Sequence, residues 1–117
     1  MNSQAIRIQN HINGEWEDEV GGQYVPLRNP STGQVIGEVP ISSPETSRRA
    51  VAAAAAAFPA WKAMPLPKRM NYIHLMHQAL KDNLEALAQA VAVDQGKHIA
   101  EARGEVGRVI EIVQMAC

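Results

Sequence analysis

Few residues in this 117-residue chain are of a type and spacing that could do chemistry. His74-x-x-His77 could present two imidazoles from one helix face to a metal. No carboxylate or thiol stands beside them at ligand spacing, which favours two histidines packed at the edge of a core. Cys117 is the lone thiol. A nucleophilic cysteine needs a base and oxyanion donors arranged around it, and no such set is visible. It reads as a small buried hydrophobe, or as an accident of where the chain is cut. Arg108 holds more interest. Glu105 and Glu111 lie three residues away on either side, so a solvated intrahelical ion pair is one reading. A guanidinium gripping a carboxylate with two parallel hydrogen bonds is the other. Gly104 and Gly107 flank this arginine, each at a cost of about 1 kcal/mol relative to alanine in a helix interior. They allow either close helix packing or room for a bulky group beside Arg108.

Composition narrows the classes of function. The net charge is −1 and aromatic residues make up 4%, which leaves neither an electrostatic footprint for nucleic acid nor platforms for stacked bases. The amino-terminal stretch lacks the apolar run of a signal peptide, and the longest apolar run, Ala50–Phe58, is too short for a membrane span. One cysteine cannot form an intramolecular disulfide, so a reducing, cytoplasmic setting is expected. There is no glycine-rich dinucleotide loop, no phosphate-cradling motif and no Ser-His-Asp set.

The elements that must position these residues fall into two kinds. Residues 8–41 read as short strands and turns. Asn13-Gly14 signals a tight hairpin, a strand follows near Tyr24–Arg28, and Asn29-Pro30-Ser31-Thr32-Gly33 turns into a strand at Val35–Ile41. Pro26 and Pro40 place these strands at sheet edges or at strand ends. Residues 43–117 read as three to four helices. Ser42-x-x-Glu45 resembles a capping box with Pro44 in the first turn, and an alanine-rich helix follows until Pro59. Met70, Ile73, Met76, Leu80, Leu84, Leu87 and Val91 form a stripe at helical spacing. Lys81-Asp82-Asn83 leaves open one long helix or two short ones. Gly96 fits a helix-terminating glycine, and a last helix runs from about Ile99 with no capping signal after it. The expectation is a single α+β segment over residues 1–117, with strands at about 8–41 and helices at about 43–117.

Four stretches taken together are more specific than any of them singly. "INGEW" at 12–16, "NPSTGQVIGEVP" at 29–40, "AAAAFPAW" at 54–61 and "DQGKHIAEARGEV" at 94–106 succeed one another in an order that resembles the amino-terminal part of the NAD(P)-dependent aldehyde dehydrogenase superfamily. "INGEW", "VPIS" and "GEVGRVIE" look most like its CoA-acylating methylmalonate-semialdehyde dehydrogenase branch. The resemblance implies a peripheral part of an α/β cofactor-binding domain. It implies oxidation of a semialdehyde with NAD as cofactor and coenzyme A as co-substrate, in a homo-oligomer. It also implies that the catalytic cysteine, the base and the cofactor loops lie downstream, so Cys117 is not the nucleophile and this chain alone should be inactive. Arg108 matches an arginine associated in that branch with the substrate carboxylate. Leu27, Arg28 and Asp94 match a monovalent cation site of some members, although Arg28 departs from the usual uncharged residue. A stand-alone binding or assembly module that pairs through its helical faces is the alternative, and open apolar faces lead to an expectation of self-association.

Overall fold

The computed structural model describes residues 6–117, which form two compact units. The first comprises the residues up to Asn29 together with Gly33–Ala63, and the second comprises Pro30–Thr32 and Met64–Cys117. The α+β expectation holds, with strands confined to the first part of the chain and four helices following.

In the first unit, β2 (Asn10–Ile12) and β3 (Glu15–Glu17) pair antiparallel through the Asn13-Gly14 turn. Both turn residues have positive φ, 54° and 83°, which is the backbone twist that a two-residue hairpin demands. Across this hairpin the His11 and Trp16 rings meet at 4.5 Å. A second sheet has the order β1-β5-β4, with β1 Ile6–Arg7, β4 Gln23–Arg28 and β5 Val35–Ile41. The two-residue β1 pairs parallel to β5 and is too short to leave a pattern in the sequence. It also puts β5 in the sheet centre, so Pro26 lies on an edge strand and Pro40 at a strand end, one residue before β5 stops at Ile41. Pro40 escapes conflict because β1 pairs only with Gly37 and Glu38, leaving Pro40 a partner on the β4 side alone.

Helix α1 spans Pro44–Ala63 and differs from expectation at both ends. Its cap is Ser43, whose Oγ accepts from Thr46 N at 3.1 Å, while the Ser42 hydroxyl donates to Asn10 Oδ1. Pro59 does not stop it. The proline removes one backbone donor, but Ala55, whose carbonyl loses its partner, is an exposed residue, and alanine-rich sequence sustains the helix. Glu19, only 8% exposed, sits at the amino end of α1. Its carboxylate accepts from Ser43 N at 3.1 Å, Thr46 Oγ1 at 2.9 Å and Asn10 Nδ2 at 3.0 Å. These donors, the Ser43 amide foremost, hold its carboxyl below the usual range despite burial. A buried acid at a helix amino terminus also answers the partial positive charge there.

The second unit is built from α2 (Leu66–Asp82), α3 (Leu84–Gln95) and α4 (Ile99–Met115). Asn83 separates α2 from α3, which settles the open question at 81–83 in favour of two helices; its side-chain amide donates to the Ala79 carbonyl at 2.8 Å. The core is small: Ala88 and Ala102 are fully buried and Val106 nearly so, with Leu84, Val91, Ala92, Ile99 and Ile110 packed around them. Alanines at the contact let α3 and α4 approach closely. Arg103 on α4 also grips Glu85 on α3 with two hydrogen bonds of 2.8 Å.

That pair carries a pH signature. The Arg103 hydrogen bonds lower the Glu85 carboxyl from its ordinary 4.5 to about 2. A depressed folded value contributes stability that is complete above the unfolded value and is lost as pH falls toward the folded one. Glu19 has the same sign. Acid titration followed by circular dichroism should therefore show stability declining below about pH 4.5. Arg103→Gln should weaken the fold at neutral pH and flatten that decline; an unchanged acid profile would remove the pair from the account.

Candidate functional site

One face of α4 has the features of a binding site. Its first turn is capped by His98, whose Nδ1 accepts from Ala100 N at 3.2 Å, so the helix starts sharply after Lys97. Buried Ala102 and Val106, with partly buried Ile110, fix which face turns inward. Lys97, Glu101, Gly104, Glu105, Arg108, Val109 and Ile112 then line an open groove of about 790 Å³ on another face.

Within the groove the charges are sorted. Lys97 forms an ion pair with Glu105. Among the described residues the Arg108 guanidinium has no hydrogen-bond or ion-pair partner, neither Glu105 nor Glu111 engaging it. Of the two readings of Arg108, the intrahelical ion pair is therefore absent. Gly104 and Gly107 do not serve close packing among the described residues either, because a Cβ built at each meets nothing of them within 4 Å. A groove with an unpaired guanidinium, an apolar wall from Val109 and Ile112 and glycine-made room suits a small molecule that carries a carboxylate. Lys97 was not evident from sequence. It lies just outside the helix, eight residues before Glu105, so intrahelical spacing does not mark it.

The other sequence candidates line no part of this groove. His74 is exposed and His77 half-buried, and among the described residues no group of three or more His, Cys, Asp or Glu could hold a metal. Cys117 is exposed rather than buried, and its thiol reaches only the Val113 carbonyl at 3.4 Å. Leu27 and Arg28 lie on β4 in the first unit, at an irregularity in its pairing, and Arg28 Nη1 donates to the Gly33 carbonyl at 3.0 Å. Asp94 lies in the last turn of α3 in the second unit. Among the described residues no helix is long and apolar enough to cross a membrane.

Comparison with known proteins gives these features a setting. Residues 16–117 match the model of the aldehyde dehydrogenase family. Over 116 residues the chain is 41% identical to malonate-semialdehyde dehydrogenase 1 of Bacillus thuringiensis (strain Al Hakam), covering 99% of this chain and 24% of that one. The protein of the same name from Bacillus anthracis gives the same figures. The chain thus spans about a quarter of the length of these relatives. Among solved structures, a Sinorhizobium meliloti 1021 protein assigned as a methylmalonate-semialdehyde dehydrogenase and complexed with NAD superposes with a TM-score of 0.91 at 30% identity, covering 97% of this chain and 23% of that one. Aldehyde dehydrogenase 21 from Physcomitrella patens, in complex with the reaction product succinate, superposes with a TM-score of 0.87 at 29% identity over 97% of this chain and 23% of that one.

Proposed function

Because this chain belongs to the aldehyde dehydrogenase family, we propose that it forms part of an enzyme that oxidises a carboxylate-bearing semialdehyde, malonate or methylmalonate semialdehyde, to an acyl-CoA with NAD. The observation that carries the substrate class is the unpaired Arg108 on the groove wall of α4. Its setting in a chain 41% identical to malonate-semialdehyde dehydrogenases points the same way. A small dicarboxylic semialdehyde offers one fixed anion, and a guanidinium fork matches it. The succinate complex of the Physcomitrella patens relative is in keeping with a carboxylate-bearing product.

Two of the helix amino termini offer no place for the pyrophosphate of a dinucleotide. A pyrophosphate needs free backbone donors at a helix amino terminus, and that of α1 is already filled by the Glu19 carboxylate. That of α4 is capped by His98. No step of the oxidation is therefore assigned to this chain; its part is to hold and orient the substrate's anionic end. Alone it is expected to be inert. Exposed Leu75 on α2 and Ile112 and Met115 on α4 favour association with further polypeptide or with a second copy.

The test is direct. The full-length protein carrying this segment is incubated with malonate semialdehyde, NAD and coenzyme A while NADH absorbance and acyl-CoA formation are followed. Coupled appearance of both supports the proposal. A correctly folded protein that forms NADH without acyl-CoA would confine it to simple dehydrogenation, and complete inertness would refute it.

A further inference from the structure

We infer that Lys97 is a positioning residue that keeps Arg108 available for a substrate carboxylate by occupying Glu105. The inference rests on the reading of Arg108 as the carboxylate-binding residue and adds the device that keeps it unpaired.

Glu105 and Arg108 stand three residues apart on α4 and both line the groove. An acid placed amino-terminal to a base at this spacing is the orientation in which helical ion pairs form best. Glu105 is thus the natural competitor for the guanidinium. Glu111 stands in the reverse orientation, which is the weaker one. The remaining groove acid, Glu101, lies seven residues before Arg108, about 10 Å along the helix axis. The outcome of the competition is set from outside the helix. Lys97 precedes the His98 cap and its ammonium pairs with Glu105. The Lys97 side chain is only 23% exposed against 52% for Glu105, so the stem is held by its surroundings and the ammonium is delivered from a fixed side. With Glu105 taken, Arg108 is left without an internal partner among the described residues.

Removing the ammonium reverses the order of preference. In Lys97→Met, Glu105 loses its partner and the Glu105–Arg108 pair becomes the best one open to both. A substrate carboxylate must then displace an internal one. The competition acts on binding, so it shows in KM for anionic aldehydes and not for uncharged ones. Its size follows the worth of an exposed helical pair, about 1.5-fold to 2.5-fold.

The experiment compares the full-length enzyme with Lys97→Met, Lys97→Arg, Glu105→Gln, the double variant Lys97→Met/Glu105→Gln, and Arg108→Leu. Each is assayed on malonate semialdehyde and on propionaldehyde. Lys97→Met should raise KM for the anionic substrate alone, Lys97→Arg should retain the parent value, and the double variant should restore it because the competitor is gone. Failure of the double variant to restore, or an equal rise on both substrates, would overturn the role of Lys97. If Arg108→Leu discriminates between the substrates and Lys97→Met does not, only the present inference falls. If Arg108→Leu fails to discriminate, the underlying reading of Arg108 falls with it. Should Lys97→Met fold poorly, the Lys97→Arg and Glu105→Gln pair decides, since Glu105→Gln should leave KM for the anion at or below the parent value, and a rise would overturn the inference.

Discussion

Arg108→Leu in the full-length enzyme is expected to lower kcat/KM for malonate semialdehyde by about tenfold to a hundredfold while leaving an uncharged aldehyde nearly unaffected. The size follows from what a charge-assisted, bidentate grip contributes. Leucine keeps the bulk of the arginine stem and removes only the fork, so loss of packing is minimised. Arg108→Lys should fall between the two, because an ammonium keeps the charge but cannot make two parallel hydrogen bonds. The readout is the ratio of the two specificity constants, which cancels any general damage to the protein. Equal loss on both substrates would make Arg108 a structural residue, and no loss on either would remove it from the site.

Arg108 is only partly legible in the sequence. The helix that carries it was readable because Val106, Ile110 and Val113 recur at helical spacing, and α4 indeed runs Ile99–Met115. The Asn13-Gly14 hairpin and the break at Gly96 were equally plain, because each rests on a backbone conformation that few residues tolerate. What sequence could not decide was which of two charges Arg108 would meet. Spacing along a helix names the candidate partners, but the choice is made by Lys97, which arrives from the turn before the helix. The same limit explains the capping of α1. Ser42 and Ser43 are both chemically able to cap, and the difference lies in Asn10, a partner 32 residues away that takes the Ser42 hydroxyl. It also explains Glu19, an ordinary acid in a loop until Asn10, Ser43 and Thr46 are folded around it. Local backbone demands are written locally; side-chain partnerships across the chain are not. Pro59 is a different kind of miss. The cost of a proline in a helix is real, but it is a sum against neighbouring propensity, and here the alanines outweigh it.

The largest expected loss of stability comes from Gly96→Val, at about 3 kcal/mol. Gly96 ends α3 with φ of 65°, in the left-handed region, where a β-branched residue suffers the steric cost that makes such helices rare. A second penalty is independent of the first. A Cβ at this position would lie 2.6 Å from Ser31 Oγ and 2.8 Å from Pro30 Cγ, with the Ser31 backbone nitrogen 3.1 Å away. Ser31 is not free to swing aside, because its hydroxyl donates to the Gly96 carbonyl at 2.9 Å. The Pro30–Ser31 turn and the end of α3 therefore meet where only a hydrogen atom fits. Two of the stretches that carried the family resemblance, "NPSTG" and "DQGK", are in this way joined at one atom-scale contact. Gly96→Asn separates the two penalties, since asparagine tolerates the left-handed conformation yet still brings a Cβ against the turn. Chemical denaturation should rank glycine above asparagine and asparagine above valine. If asparagine matches glycine, the turn yields to the extra carbon and the φ penalty alone remains; if valine lies within about 0.5 kcal/mol of glycine, both penalties are refuted.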